Sequence, residues 1–211
     1  MESQLRAGLG ALGLPLADPQ VAQLLEYAAL LQKWGKVYNL TALRGADEVL
    51  THHLLDSLSV VTPLRRTVGA GPRRLLDVGS GAGLPGVVLA ISCPDLAVDC
   101  VDAVAKKAAF IQQAAGALKL PNLRGVHARV EALADPCDLV ISRAFSSLAE
   151  FVRLTGQVVG ESGVWMAMKG KFPADEVAEL PAGVAVFHVE QLKVPGLDAE
   201  RCLVWLRRVG A

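Results

Sequence analysis

Val21, Leu24, Leu25, Ala28, Leu31 and Trp34 recur at intervals of three and four, laying one apolar stripe along a helix that starts after Asp18-Pro19. Gly35 is expected to close that helix, because glycine takes the left-handed turn at a helix end without strain. A second helical stretch is predicted after Gly45. Asp47 and Glu48 stand in its first turn, where acids suit the helix dipole, and Val49, His53, Asp56, Leu58 and Val61 follow. Leu5, Leu9 and Leu12 read as a packed or frayed terminus in preference to a membrane-active face. Up to residue 68 there is no strand signal.

The period changes after Gly69-Ala70-Gly71-Pro72, a hinge-like loop. Short apolar runs at 74–78, 96–102, 123–128, 138–142 and 163–168 alternate with helix-like stretches near 85–92, 104–119 and 147–159. Strands alternating with helices predict a parallel sheet with both faces covered. Residues 184–189 and 202–209 also read as strands. They are separated by Pro195-Gly196 without a helix, so they are expected as an antiparallel pair at the end of the sheet. The expected class is α/β: a mostly parallel, Rossmann-like sheet in residues 69–211, preceded by a helical extension, residues 1–68, packed on it as one unit.

Composition narrows the picture. With 52% hydrophobic and 20% charged residues the chain is not disordered, and runs such as Val87 to Ile91 are far too short to span a bilayer. The start, Met1-Glu2-Ser3-Gln4, lacks the basic and apolar regions of a secretory signal, so a cytoplasmic protein without membrane attachment is expected. The 21 basic and 21 acidic residues balance, with no basic tail, so any polyanionic partner must be met by a local patch. Cys93, Cys100, Cys137 and Cys202 match no zinc or redox spacing and read as buried thiols in a reducing compartment. His52, His53, His127 and His188 are too scattered to complete a metal set with them, and no metal is expected.

The most informative segment is Leu75-Leu76-Asp77-Val78-Gly79-Ser80-Gly81-Ala82-Gly83-Leu84-Pro85-Gly86, a buried strand running into a glycine loop and a helix. Gly81 to Gly86 satisfies the dinucleotide pattern G-x-G-x-x-G, but in the wrong register. In that fold the first glycine directly follows the strand; here it is Gly79, and the sixth position from it is Leu84. The strand also carries Asp77, an acid of little use to a pyrophosphate and well suited to a cationic ligand. The pattern Asp-x-Gly-x-Gly-x-Gly resembles motif I of class I S-adenosylmethionine (AdoMet) methyltransferases. Asp102, ending the next strand, can accept hydrogen bonds from both hydroxyls of a ribose, a feature that serves AdoMet and NAD alike. Arg129-Val130-Glu131 follows the third strand, where backbone groups can face an adenine or simply form a surface loop.

Beyond the loop, Asn39-Leu40-Thr41, His53-Leu54-Leu55-Asp56-Ser57, Ser142-Arg143-Ala144, Met168-Lys169-Gly170 and Val194-Pro195-Gly196-Leu197-Asp198-Ala199-Glu200-Arg201 stand in one order. Together with the glycine loop and Arg129-Val130-Glu131 they resemble the RsmG (GidB) family over roughly residues 25–209. The resemblance implies a class I fold and AdoMet-dependent methylation of N7 of one guanine in 16S ribosomal RNA, on the 30S subunit or an assembly intermediate. It places AdoMet contacts at Gly79, Leu84, Val130, Glu131 and Arg143, with Asp77, Gly81 and Asp102 on the same side. The family often follows the last acid with serine; here Ala103 stands there.

Guanine N7 offers a lone pair and loses no proton on methylation, so the reaction needs alignment and charge control and no general base. Arg143, at the end of the fourth strand, is the candidate for the catalytic role: it can hold a carboxylate or phosphate, orient guanine O6, or form a rim salt bridge. Arg73, Arg74, Lys106, Lys107, Lys169 and Lys171 are the candidate RNA footprint. Asn39, Thr41, His53, Asp56 and Ser57 either line an RNA entrance or tie the helices to the sheet. A monomer is expected. The competing readings are a methyltransferase for a small molecule or protein and a non-catalytic RNA-binding assembly protein; an NAD oxidoreductase is rejected on glycine register.

Overall fold

Side chains alternate between two faces along every strand, and here both faces are apolar. In a computed structural model, which describes residues 1–38, 45–143, 145 and 147–210, Leu75, Val98, Leu139, Ile141 and Met166 pack into one core. Their neighbours Leu76, Val101, Val140, Trp165 and Ala167 pack into a second core on the other face. The strands are β1 (Arg73–Val78), β2 (Leu96–Asp102), β3 (Leu123–His127), β4 (Cys137–Ser142), β5 (Val159–Lys169), β6 (Val184–Gln191) and β7 (Cys202–Arg208). They form one seven-stranded sheet in the order β3-β2-β1-β4-β5-β7-β6. The first five run parallel, and β7 lies antiparallel between β5 and β6. The α/β, class I-type sheet with a C-terminal antiparallel pair is therefore the observed architecture.

The first core is covered by α1 (Glu2–Leu12), α2 (Asp18–Tyr38), α6 (Gly86–Ser92) and α7 (Ala105–Ala117). Between α2 and β1 lie α3 (Ala46–Glu48), a π-helical stretch Val49–Leu55, α4 (Asp56–Leu58) and α5 (Val61–Val68). The second core is covered by α8 (Leu148–Thr155), with the short α9 (Ala174–Ala178) beside it. A single 3₁₀ turn, Val130–Ala132, stands in the connection from β3 to β4. All four cysteines are free and buried, as expected. Among the described residues no helix is long and apolar enough to cross a membrane.

Several element boundaries differ from the sequence pattern. The helix expected to end at Gly35 continues to Tyr38, with Gly35 buried inside it, because packing outweighs the ~1 kcal/mol cost of a helical glycine. The helical stretch after Gly45 is not one regular helix: its middle widens into the π-helical turn that carries His52 and His53 and leads into Asp56. β5 starts at Val159, earlier than the apolar run at 163, because Val159 pairs with Cys137 ahead of a register shift. Asn39, Thr41 and Ala144 lie outside the described residues.

The N-terminal helices are keyed to the loops of the sheet by polar contacts as well as apolar ones. Gln20 and Gln23 donate side-chain hydrogen bonds to the carbonyls of Ile91 and Leu118, each at 2.8 Å, at the carboxyl ends of α6 and α7. Tyr27 is fully buried and its hydroxyl donates to the Ala82 carbonyl at 2.7 Å, in the middle of the glycine loop. Replacing Tyr27 with Phe keeps the ring and strands that carbonyl. Urea unfolding of Tyr27→Phe is expected to show a loss of about 1–3 kcal/mol, the usual cost of an unsatisfied buried polar group.

Candidate functional site

The loop from Gly79 to Gly86 leaves β1 at the carboxyl end of the parallel strands, where ligands of open α/β sheets are held. Gly79, Gly81 and Gly83 adopt φ of 66°, 60° and 91°, a region that side chains other than glycine rarely enter. A β-carbon on Gly79 or Gly81 would meet nothing within 4 Å, so this side of the loop is open backbone that a ligand can approach. A β-carbon on Gly86 would instead lie 2.3 Å from the Cys100 sulfur and 2.8 Å from Asp77 Oδ2. Gly86 is thus a packing glycine, and the first two form a cradle.

Asp77 lies behind that cradle, fully buried. Its Oδ2 accepts the Gly86 N–H at 2.8 Å, and its Oδ1 has no partner among the described residues. Burial pushes the carboxyl up to about 7, against the opposing pull of the Gly86 bond and the Arg143 charge. Asp102 is also buried; its Oδ2 accepts the Gly81 N–H at 3.0 Å and its Oδ1 the Val104 N–H at 2.8 Å. A carboxylate has about four acceptor directions, so room remains for two hydroxyls. A cavity of about 170 Å³ opens here, lined by Gly79, Asp102, Ala103, Val130 and Glu131, with Phe145 and Leu154 as an apolar wall. Leu84 is not on it: its side chain belongs to the first core and its N–H bonds to the Ser80 carbonyl at 3.0 Å. The sequence reading missed Phe145 and Leu154, which carry no motif of their own.

A second cavity of about 390 Å³ lies at the ends of β4 and β5, lined by His52, Asp56, Arg143, Met168, Lys169, Gly170 and Arg201. Arg143 donates through Nη1 to the His52 carbonyl at 2.9 Å and to Asp56 Oδ2 at 3.3 Å. Arg201 Nε donates to Asp56 Oδ1 at 3.0 Å. Asp56 thus ties the helical segment to two loops of the sheet. Arg201 stands in the last motif of the chain but was not singled out. It arrives here because β7 runs antiparallel, pairing its first residue, Cys202, with Lys169 at the end of β5. His53 is buried and its imidazole is pushed down to about 4, first by burial and then by Arg143, so it is neutral at physiological pH.

The six candidate RNA-contacting cations do not form one patch. Arg73 and Arg74 open β1 opposite Leu96 and Ala97, so they stand at the amino end of the parallel strands, away from both cavities. They are bound there, Arg73 to the Val68 carbonyl and Arg74 to the Pro136 carbonyl. Strand direction sets these two apart from the other four candidates. Lys169 lines the second cavity, but its ammonium is held by both Glu176 oxygens at 2.8 and 3.0 Å. Lys107 lies 3.7 Å from Asp102. Lys106 and Lys171 are exposed on the cavity side of the sheet. Among the described residues no group of three or more potential metal ligands occurs.

Comparison with known proteins agrees with this geometry. Among solved structures, TrmN from Thermus thermophilus superposes with a TM-score of 0.56 at 20% identity, over 76% of this chain and 53% of that one. A SAM-dependent methyltransferase from Aquifex aeolicus gives 0.54 at 16%, over 72% of this chain and 92% of that one. At such identities these likenesses concern the fold. A protein of Acidovorax ebreus named ribosomal RNA small subunit methyltransferase G is 63% identical, covering 99% of this chain and 96% of its own. A Polaromonas protein of the same name is 64% identical over 98% of this chain and 93% of its own. The family model described as rRNA small subunit methyltransferase G matches residues 20–204. With a glycine cradle, a ribose-type acid and an arginine-lined cavity already in place, the match over nearly the whole chain is decisive: the chain belongs to the rRNA small subunit methyltransferase G (GidB) family.

Proposed function

We propose that this protein transfers the methyl group of AdoMet to N7 of a guanine in the RNA of the small ribosomal subunit. The observation that carries the reading is the open backbone of Gly79 and Gly81 beside the buried acids Asp77 and Asp102, one cavity away from Arg143. The name carried by the relatives supplies the RNA, and the resemblance supplies N7. Action inside the cell by a monomer, on the 30S particle or an assembly intermediate, belongs to the same reading.

The residues present fit AdoMet. The cradle is open where a β-carbon would stand, a buried carboxylate oxygen of Asp77 lacks a partner, and Asp102 keeps acceptor capacity beside the cavity. Asp102 would hold the ribose, the Val130-Glu131 backbone would border the adenine, and Gly79 and Gly81 would admit the amino-acid end. When bound, AdoMet supplies an electrophilic methyl group on a positively charged sulfur. The protein's own task is then alignment, since N7 attacks with a lone pair and no proton has to be removed. Good orientation alone is worth roughly 7–11 kcal/mol in such reactions. Arg143, fixed by His52 and Asp56 at the side of the second cavity, orients the base or its negative neighbours there.

Labelled AdoMet and unmodified small-subunit RNA or particles should yield one methylated guanine, mapped at N7; label passing only to small molecules or protein in an extract would refute the assignment. Arg143→Ala is expected to cut methyl transfer by at least about a hundredfold, as for loss of a preorganised charged contact, with the circular-dichroism spectrum unchanged. A cationic ligand favours the carboxylate form of Asp77, whose proton leaves near pH 7 in the free protein. Binding must therefore displace that proton below pH 7, and AdoMet affinity should fall from pH 7 to pH 5 by up to about tenfold per unit, the limit for one proton. In Asp77→Asn, calorimetry should find that slope absent.

A further inference from the structure

We infer that a groove at the amino end of the sheet, lined by Phe187, Arg207 and Arg73, receives an unpaired nucleotide of the substrate RNA. The inference rests on the reading above only for RNA as the polymer. The groove stands across the sheet from both cavities described so far, on the order of 20 Å away, the length of the six-residue β1. Its volume is about 360 Å³. Two breaks in strand pairing build it. β5 takes five steps from Val159 to Val164 where β4 takes two from Cys137 to Leu139, and the slack puts Ser162 and Gly163 on one wall. A β-carbon on Gly163 would lie 2.9 Å from the Cys137 carbonyl oxygen, so the slack closes only over glycine. β6 takes two steps from Val186 to His188 where β7 takes one from Leu206 to Trp205, and the residue left over is Phe187. Bulges of this kind re-aim a side chain. Here the re-aimed ring forms another wall of the groove and stays 36% exposed.

The walls offer the groups that a nucleotide needs. The Arg207 guanidinium carbon lies 5.1 Å from the centre of the Phe187 ring, and that ring rests 6.2 Å from the ring of buried Trp205. An aromatic ring carrying a guanidinium is a platform on which an unstacked RNA base can lie. Neither Arg207 nor Arg73 pairs with an acid among the described residues; Arg73 donates to the Val68 carbonyl at 3.0 Å. Both are exposed on one groove, so two unmatched positive charges are available to a phosphate. The acid lining the groove is Asp138. Its Oδ2 accepts the Arg74 N–H at 2.8 Å, and Oδ1 is left as an acceptor for the amino group of adenine, cytosine or guanine. Ring, cations and acceptor together suit a nucleotide better than a bare anion or an apolar ligand. The polar wall groups are exposed and β6 is the edge strand of the sheet, so a nucleotide still joined to its polymer can enter.

The test uses the full chain with AdoMet and unmodified small-subunit RNA. Phe187→Leu keeps an apolar side chain and removes the platform. Filter binding of RNA is expected to weaken about tenfold, within the range for one stacked base, with the salt dependence unchanged. Phe187→Trp should restore the affinity. Arg73→Gln should instead lower the slope of log affinity against log salt by about 0.7, the value for one single-strand phosphate. In Phe187→Leu the KM for RNA should rise in step, while kcat at saturating RNA and calorimetric AdoMet affinity stay at wild-type values. Wild-type RNA affinity in Phe187→Leu, or no recovery in Phe187→Trp, would overturn the groove. So would a defect on 30S particles that is absent on naked RNA, which would hand the groove to a ribosomal protein. Calorimetric binding of adenosine or guanosine monophosphate that is lost in Phe187→Leu, with RNA affinity unchanged, would make it a free-nucleotide site and refute the RNA contact. If RNA is held through Phe187 but no methyl group is transferred, the enzymatic reading fails and the groove stands.

Discussion

A carboxylate buried beyond the reach of water organises this molecule. Asp77 lies beneath the glycine loop, accepts the first N–H of α6 and stands close enough to Cys100 and Gly86 that no side chain fits at the helix start. Its charge is unfavourable there, which is why its proton leaves only near pH 7. The same bond ties β1 to the start of α6 across the loop in which Gly79 and Gly81 face open space. A neutral side chain could pack at that position. An acid can also interact with a positively charged ligand through the loop.

The helices ahead of the sheet complete the site. Tyr27 holds the glycine loop from behind through the Ala82 carbonyl, and Asp56 holds the two arginines of the second cavity. Leu5, Leu24, Tyr27 and Leu54 share one core with Leu75 and Val98 of the sheet. The described part of residues 1–68 is in this sense one packed unit with the sheet and its glycine loop. The π-helical turn at Val49–Leu55 brings the His52 carbonyl and Asp56 to the same guanidinium, a placement for which such wide turns are often used.

Although the chain carries no net charge, its cations are unequally matched in space. Lys169 is matched by Glu176, and Arg124 by Asp99. At Asp56 two arginines share one acid. Summing charge along the chain hides this, because pairing is decided by neighbours in space.

Much of the fold and half of the site were legible in the chain. The alternation of strand and helix, the antiparallel end, the glycine loop and Asp102 are set by local rules: side-chain period, backbone freedom of glycine and the direction in which a strand ends. Other features escaped for reasons that are equally physical. Arg73 and Arg74 stand at the amino end of the parallel strands, and the Leu84 side chain packs into the core, placements that follow from strand direction and packing and carry no mark in the sequence. Arg201, Tyr27, Phe145 and Leu154 gain their roles from contacts with residues far along the chain, and spacing in the sequence carries no trace of such contacts. The sequence by itself determined which chemistry the loop after β1 can hold. Only the tertiary structure decided which charges remain unmatched beside it, since that depends on how the antiparallel β7 and the N-terminal helices return to the carboxyl end of the sheet.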